Sequence, residues 1–165
     1  MDAKVARVVV PVDTAYGAHK VYLHPGHLHV AEVPVDITTV VGSCVSVCLW
    51  DRASKLAGMN HFVLPTALNG AASLKHGDFA THQLVERLLE RGAAAANLRA
   101  RLFGGSCVIE AFRSSGNDLG SKNAAVARRV LGQHRIPILQ EDVGGSAGRK
   151  LVFHTDDGSV AVKLL

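Results

Sequence analysis

The stretch ITTVVGSCVSVCLWDRASKLAGMNHFVLP, residues 37–65, decides the architecture. Its two ends are rich in Val, Ile, Leu and Thr, side chains that suit a pleated, half-buried surface. Between them DRASK, at 51–55, is a cluster of turn formers. The reading is two strands joined as hairpin neighbours, which brings Cys44 of the first near His61 of the second. His61 is the only histidine between Leu49 and Pro65, and a Gly42-Ser43 break stands directly before Cys44. The pattern raises a question of chemistry: why a thiol follows a glycine break in a run that otherwise reads as buried strand.

Strand patterns continue outward from this segment. KVARVVVPV (4–12), KVYLHP (20–25) and HLHVAEVPV (27–35) precede it, with a Pro25-Gly26 turn between the last two. GDFATHQLVERLLERGA (77–93) is helical, with apolar Phe79, Leu84, Val85, Leu88 and Leu89, Asp78 as N-cap and Gly92 as stop. RARLFGGSCVIEAF (99–112) reads as a strand, a glycine break and then a second strand or a loop. LGSKNAAVARRVLGQH (119–134) is a second helix, apolar at Ala127, Val130 and Leu131. IPILQED, RKLVFHT and SVAVKLL are closing strands, with VGGSAG (143–148) a flexible loop flanked by Asp142 and Arg149, an expected ion pair. Strands, helix, strand, helix, strands is an α+β order. The expectation is one domain over 1–165, a layered sandwich of mixed or antiparallel sheets flanked by two main helices.

Composition narrows the function. The chain has 165 residues, 48% hydrophobic and 19% charged, in the range of soluble globular proteins. No apolar run approaches the roughly 18 residues that span a bilayer, and the N-terminus lacks the core of a signal peptide. A cytoplasmic protein without membrane insertion is expected. The net charge is +4, but the basic residues are scattered and aromatics are 5%, which argues against a nucleic-acid surface. Cys44, Cys48 and Cys107 form no disulfide or CxxC pattern. His24, His27 and His29 cluster at the Pro-Gly turn, yet no fourth ligand follows, and a surface hairpin is the better reading than a metal site.

A cysteine becomes a nucleophile when a base stands beside it and its backbone presents it outward. Gly42 permits a sharp turn, and N–H groups of such a turn, around Ser43 and Cys44, can hold an oxyanion. Neutral histidine is the usual activator of a thiol. Thr38 lies six residues before Cys44, an even offset that puts both on one face of an extended strand, where a hydroxyl can hold the imidazole in one tautomer. Thr39 is the alternative if Gly42 bulges the strand. Cys44 as a small buried hydrophobe, and His61 as a structural residue, remain open at this level.

YLHPG, TTVVGSCVSVCLWD, GMNHFVLP, RLFGGS and EDVGGSAGRKLVF follow in this order across roughly residues 20 to 164. Together they resemble CheD, the chemoreceptor glutamine deamidases of bacterial chemotaxis. The resemblance implies a cysteine hydrolase related in fold to toxin-type deamidases, with Cys44 as nucleophile, His61 as base and Thr38 as orienting residue. It implies a reaction without metal or cofactor, in which receptor glutamine becomes glutamate. It also implies methyl-accepting receptors as substrate and, for some members, a CheC-type phosphatase as partner. A G-x-x-N match at Gly120 and Asn123 receives no catalytic role. A regulatory binding module with little catalysis and a receptor methylesterase are the competing functions.

Overall fold

The computed structural model describes residues 19–165. The strand expected at 4–12 lies outside the described residues. One sheet is built from β1 (His19–Tyr22), β3 (Val35–Val41), β8 (Arg149–His154) and β9 (Ser159–Leu164), in the order β1-β3-β8-β9. The other contains β2 (His27–Ala31), β4 (Val45–Asp51), β5 (Ala57–His61), β6 (Leu98–Gly104) and β7 (Ile138–Val143), in the order β2-β5-β4-β6-β7. The β1/β3 and β6/β7 pairs are parallel and the remaining pairs antiparallel, so both sheets are mixed.

Three layers follow from which faces are apolar. Ile37, Val41, Leu151 and Phe153 of the first sheet pack against Cys48, Met59 and Phe103 of the second. The second sheet's other face carries Val47, Leu49 and Leu102, which meet helices α1 (Gly77–Glu90) and α3 (Leu119–Gln133) through Leu84, Leu88, Ala127 and Leu131. A sheet covered on both faces needs strands apolar on both sides. This is why VSVCLWD reads as an unbroken run rather than an alternation. Each fully buried Phe or Leu contributes about 1.5–3 kcal/mol. The α+β sandwich of mixed sheets is thus as expected, with both main helices stacked on one outer face.

Two local expectations change. Residues 37–51 are not one strand: the chain leaves the first sheet at Val41, turns through Gly42–Cys44 and enters the second at Val45. Helix α1 begins at Gly77, with Asp78 inside the first turn and no side-chain cap. Two of its free N–H groups are met by backbone, Gly77 N–H donating to Leu64 O and Asp78 N–H to Pro65 O, while Phe79 N–H donates to the Asp78 carboxylate at 2.8 Å. A Cβ at Gly77 would collide with the Phe62 ring, so only glycine lets the helix start there. Of the two readings for the chain after Gly105 the loop holds, leading into a short helix, α2 (Glu110–Arg113). Helix α3 is capped by Asp118, whose carboxylate accepts from Ser121 N–H at 3.0 Å.

Candidate active site

Cys44 sits in the crossover between the two sheets, half-buried against the inter-sheet core. The hairpin expected from DRASK forms, with Cys48 opposite Met59 and Trp50 opposite Ala57. The same register runs on to Val45 and Phe62, which exchange backbone hydrogen bonds of 3.1 and 3.0 Å. Cys44 and His61 are therefore diagonal neighbours on one face of the ladder. Such pairs have Cα atoms roughly 7–8 Å apart, within reach of long side chains.

The hydroxyl on His61 belongs to Thr39, not Thr38. Thr39 Oγ1 lies 2.8 Å from His61 Nδ1 and also donates to Leu23 O at 2.7 Å. The even-offset argument for Thr38 fails because β3 and the strand after Cys44 lie in different sheets, so parity does not carry across the crossover. Along β3 the buried positions are Val35, Ile37, Thr39 and Val41, while Thr38 is on the opposite face and half-buried.

Proton accounting then assigns the tautomer. The single hydroxyl hydrogen of Thr39 goes to Leu23 O, so its oxygen accepts from Nδ1–H of His61. Nε2 is left with its lone pair, and it is buried with no partner among the described residues. That is the form of histidine that can take a proton from a thiol. Leu23 belongs to the YLHPG segment, and Gly26 of the same segment, at φ 77°, donates its N–H to His61 O at 2.7 Å. This segment is a bracket for the histidine.

Both titratable groups are held neutral. Burial pushes the His61 imidazole down from 6.5 to about 4. Burial also raises the Cys44 thiol, partly offset by its own backbone N–H. The pair rests as thiol and imidazole rather than as thiolate and imidazolium. A stability prediction follows. Between pH 6.5 and about 4 the unfolded chain protonates His61 while the folded chain does not. The unfolded state then binds more protons, so stability falls as pH falls through this window. The loss from this residue is roughly 3 kcal/mol. Urea denaturation across pH 7 to 4 should show a shallower loss for His61→Gln than for wild type; equal slopes would contradict the assignment.

The carbonyls of the crossover are all tied down. Ser106 N–H donates to Gly42 O at 2.9 Å, Asn123 Nδ2 to Ser43 O at 2.9 Å, and Gly105 N–H to Cys44 O at 2.8 Å. The N–H groups of Gly42, Ser43 and Cys44 find no backbone acceptor among the described residues. The loop thus presents donors, as an oxyanion site needs. Gly42 does this without a positive φ, contrary to the sharp-turn expectation, and a Cβ there would meet only Ser106 Oγ at 3.9 Å. The left-handed glycines are Gly104 (φ 110°) and Gly105 (φ 64°), on the segment pressed against the crossover. Arg149, 5% exposed, braces that segment, bonding Asp142 at 2.8 Å, Gly144 O at 3.0 Å and Gly104 O at 3.4 Å. The expected Asp142–Arg149 pair is therefore present and close to the site.

The remaining motifs lie elsewhere. Cys48 is fully buried, its thiol raised by burial, and packs in the inter-sheet core. Cys107 Sγ donates to Ile109 O at 3.3 Å. Among the described residues no three His, Cys, Asp or Glu side chains converge as metal ligands, so His24, His27 and His29 build no such cluster. A cavity of about 290 Å³ between α1 and α3 is lined by Asp78, Phe79, His82, Arg129 and Gln133 and does not touch Cys44 or His61. No helix of the described residues is long and apolar enough to cross a membrane.

Comparison with known proteins agrees with the sequence resemblance. A family model described as CheD chemotactic sensory transduction matches residues 63–164. The chain is 49% identical to "Probable chemoreceptor glutamine deamidase CheD 1" of Anaeromyxobacter dehalogenans, over 90% of this chain and 86% of that protein. It is 42% identical to the protein named probable chemoreceptor glutamine deamidase CheD in Rhodospirillum rubrum, over 88% of this chain and 82% of that one. The corresponding values for the protein of the same name in Sulfurimonas denitrificans are 39%, 87% and 93%. Among solved structures, Bacillus licheniformis hypothetical protein YfiH overlays with a TM-score of 0.49 at 14% identity, over 72% of this chain and 51% of that one.

Proposed function

This chain belongs to the CheD family, and from that premise we propose that it is a glutamine deamidase acting on methyl-accepting chemotaxis receptors. The observation that carries the mechanism is the Leu23–Thr39–His61 hydrogen-bond chain, which leaves Nε2 as a free base beside the Cys44 loop. A receptor glutamine places its amide carbon over the Cys44 sulfur. Nε2 takes the thiol proton as sulfur attacks, and the Cys44 and Ser43 N–H groups receive the developing oxyanion. The tetrahedral intermediate breaks its C–N bond, and Nε2–H protonates the departing nitrogen, releasing ammonia. Water, deprotonated by Nε2, then attacks the thioester carbonyl. Collapse frees glutamate and restores the thiol. The steps use protein groups and water alone.

The surface beside the site suits a protein substrate. Leu64, Val108, Ile109 and Phe112 are exposed on the segments that run on from the His61 strand and from Gly105. An amphipathic receptor helix can cover such side chains while its glutamine enters the site. The same reading puts the reaction in the cytoplasm and takes a CheC-type phosphatase as a second partner, competing with receptor. The test is incubation of the purified protein with the cytoplasmic domain of a receptor from the same cell, followed by peptide mass spectrometry and ammonia assay. Glutamine-to-glutamate conversion with matching ammonia is the expected result. Tight receptor binding without conversion would replace this reading with a regulatory module, and methanol release from methylated receptor would replace it with an esterase.

A further inference from the structure

The ladder between β4 and β5 opens just beyond Val45 and Phe62. In a continuing antiparallel ladder Ser43 O would accept from Leu64 N–H. Here Leu64 N–H donates to Lys75 O at 3.0 Å, as does Val63 N–H at 2.9 Å, and the two chains part. One side chain fills the gap. Asn123, fully buried on the second turn of α3, donates from Nδ2 to Ser43 O and to Val63 O, both at 2.9 Å. The amide orientation is dictated by chemistry, since its oxygen would repel both carbonyls. The other end, Oδ1, is buried and unpartnered. The helix is brought close enough by Gly120, one turn earlier, where a Cβ would collide with Gly105 O.

The Ser43 carbonyl shares a planar trans peptide unit with the Cys44 N–H, so fixing one aims the other in the opposite direction. The remaining carbonyl neighbours, Gly42 O and Cys44 O, are fixed by backbone donors that any residue would supply. The Ser43–Cys44 unit depends on a side chain. We propose that Asn123 is a positioning residue of the deamidation site: its carboxamide clamps the Ser43–Cys44 peptide and the chain after His61 so that the Cys44 N–H is aimed at the oxyanion. This rests on Cys44 being the nucleophile, and its test does not need the receptor.

The test compares two reactions of Cys44. Acylation by p-nitrophenyl acetate passes through a tetrahedral oxyanion and releases p-nitrophenolate as the acetyl group joins sulfur. Alkylation by iodoacetamide displaces iodide at a saturated carbon and forms no oxyanion. Both are measured on wild type, Asn123→Leu and Asn123→Asp, below the melting midpoint of each. The second variant keeps the shape of the side chain should the first not fold. The expected result is acylation slowed about 10²-fold, the effect of losing one aimed oxyanion donor, with alkylation within about threefold of wild type. On receptor glutamine the same variants should lose kcat with KM nearly unchanged. Equal slowing of acylation and alkylation would reduce Asn123 to a packing role, and unchanged acylation would remove it from the site. If wild type leaves receptor glutamine intact while the acylation ratio holds, the substrate assignment fails and the role of Asn123 stands.

Discussion

Cys44→Ala is expected to abolish conversion of receptor glutamine, a loss of roughly 10⁴-fold or more, as for other nucleophiles that act as a unit with their base. The argument is local. Cys44 is half-buried in a loop whose shape is fixed by hydrogen bonds to its carbonyls, not by its sulfur. The substitution therefore removes the reacting atom and leaves the fold, and the melting midpoint should move by no more than a few degrees. Cys48→Ala is the opposite case. Cys48 is 1% exposed in the inter-sheet core, so its truncation should cost stability through a cavity while leaving turnover intact. Measuring glutamate formation and thermal unfolding on both variants separates chemistry from packing. Conversion that survives Cys44→Ala would exclude this thiol from the mechanism.

The largest structural effect is expected from Gly104→Ala. Gly104 has φ 110°, a conformation that side chains rarely adopt, and an added Cβ would lie far inside van der Waals contact with Cys44 O. Neither conflict can relax cheaply. The obstacle is backbone, and the Gly104 carbonyl is itself held by Gly144 N–H at 2.9 Å and by Arg149. Strain plus overlap should destabilise the protein by about 3 kcal/mol or more. Gly70→Ala isolates the conformational part, because Gly70 has φ 72° but nothing within 4 Å of its added Cβ. Its cost should be about 1 kcal/mol. Urea denaturation of the two variants reads the difference directly, and equal losses would mean that the Cys44 carbonyl yields easily. Any folded Gly104→Ala should also deamidate slowly, because the Cys44 peptide must move to admit the methyl group.

How much of this was legible in the sequence depends on the range of the interactions. The DRASK turn and flanking apolar runs made the Cys44–His61 proximity readable, because a hairpin is a local object. The helices were equally plain in their spacing. The threonine was not, for a specific reason. The apolar run hid a change of sheet at Gly42–Cys44, and strand parity counted through that turn selected Thr38. A local signal did exist: Val35, Ile37 and Val41 share one parity with Thr39, so a hydroxyl among inward-facing apolar residues marked the inner face. The bonds of Asn123, Gly105 and Ser106 to the Cys44 loop span long stretches of chain, and no periodicity encodes them. The start of the first helix is legible at the right place, but Asp78 is the wrong cap, because backbone carbonyls of Leu64 and Pro65 meet the N–H groups of Gly77 and Asp78.

Thr39 and His61 come from opposite sheets, and Cys44 from the chain that joins them. On the mechanism proposed above, the catalyst works as a coincidence detector for the closed sandwich. If the sheets separate even slightly, the imidazole loses its tautomer partner before either sheet has melted. A nascent or partly opened chain would keep thiol and imidazole on one hairpin but lose the threonine that sets the tautomer, and so would hydrolyse amides poorly. Competence arrives only when both halves of the molecule are in register, which makes turnover a more sensitive gauge of assembly than any measure of secondary structure.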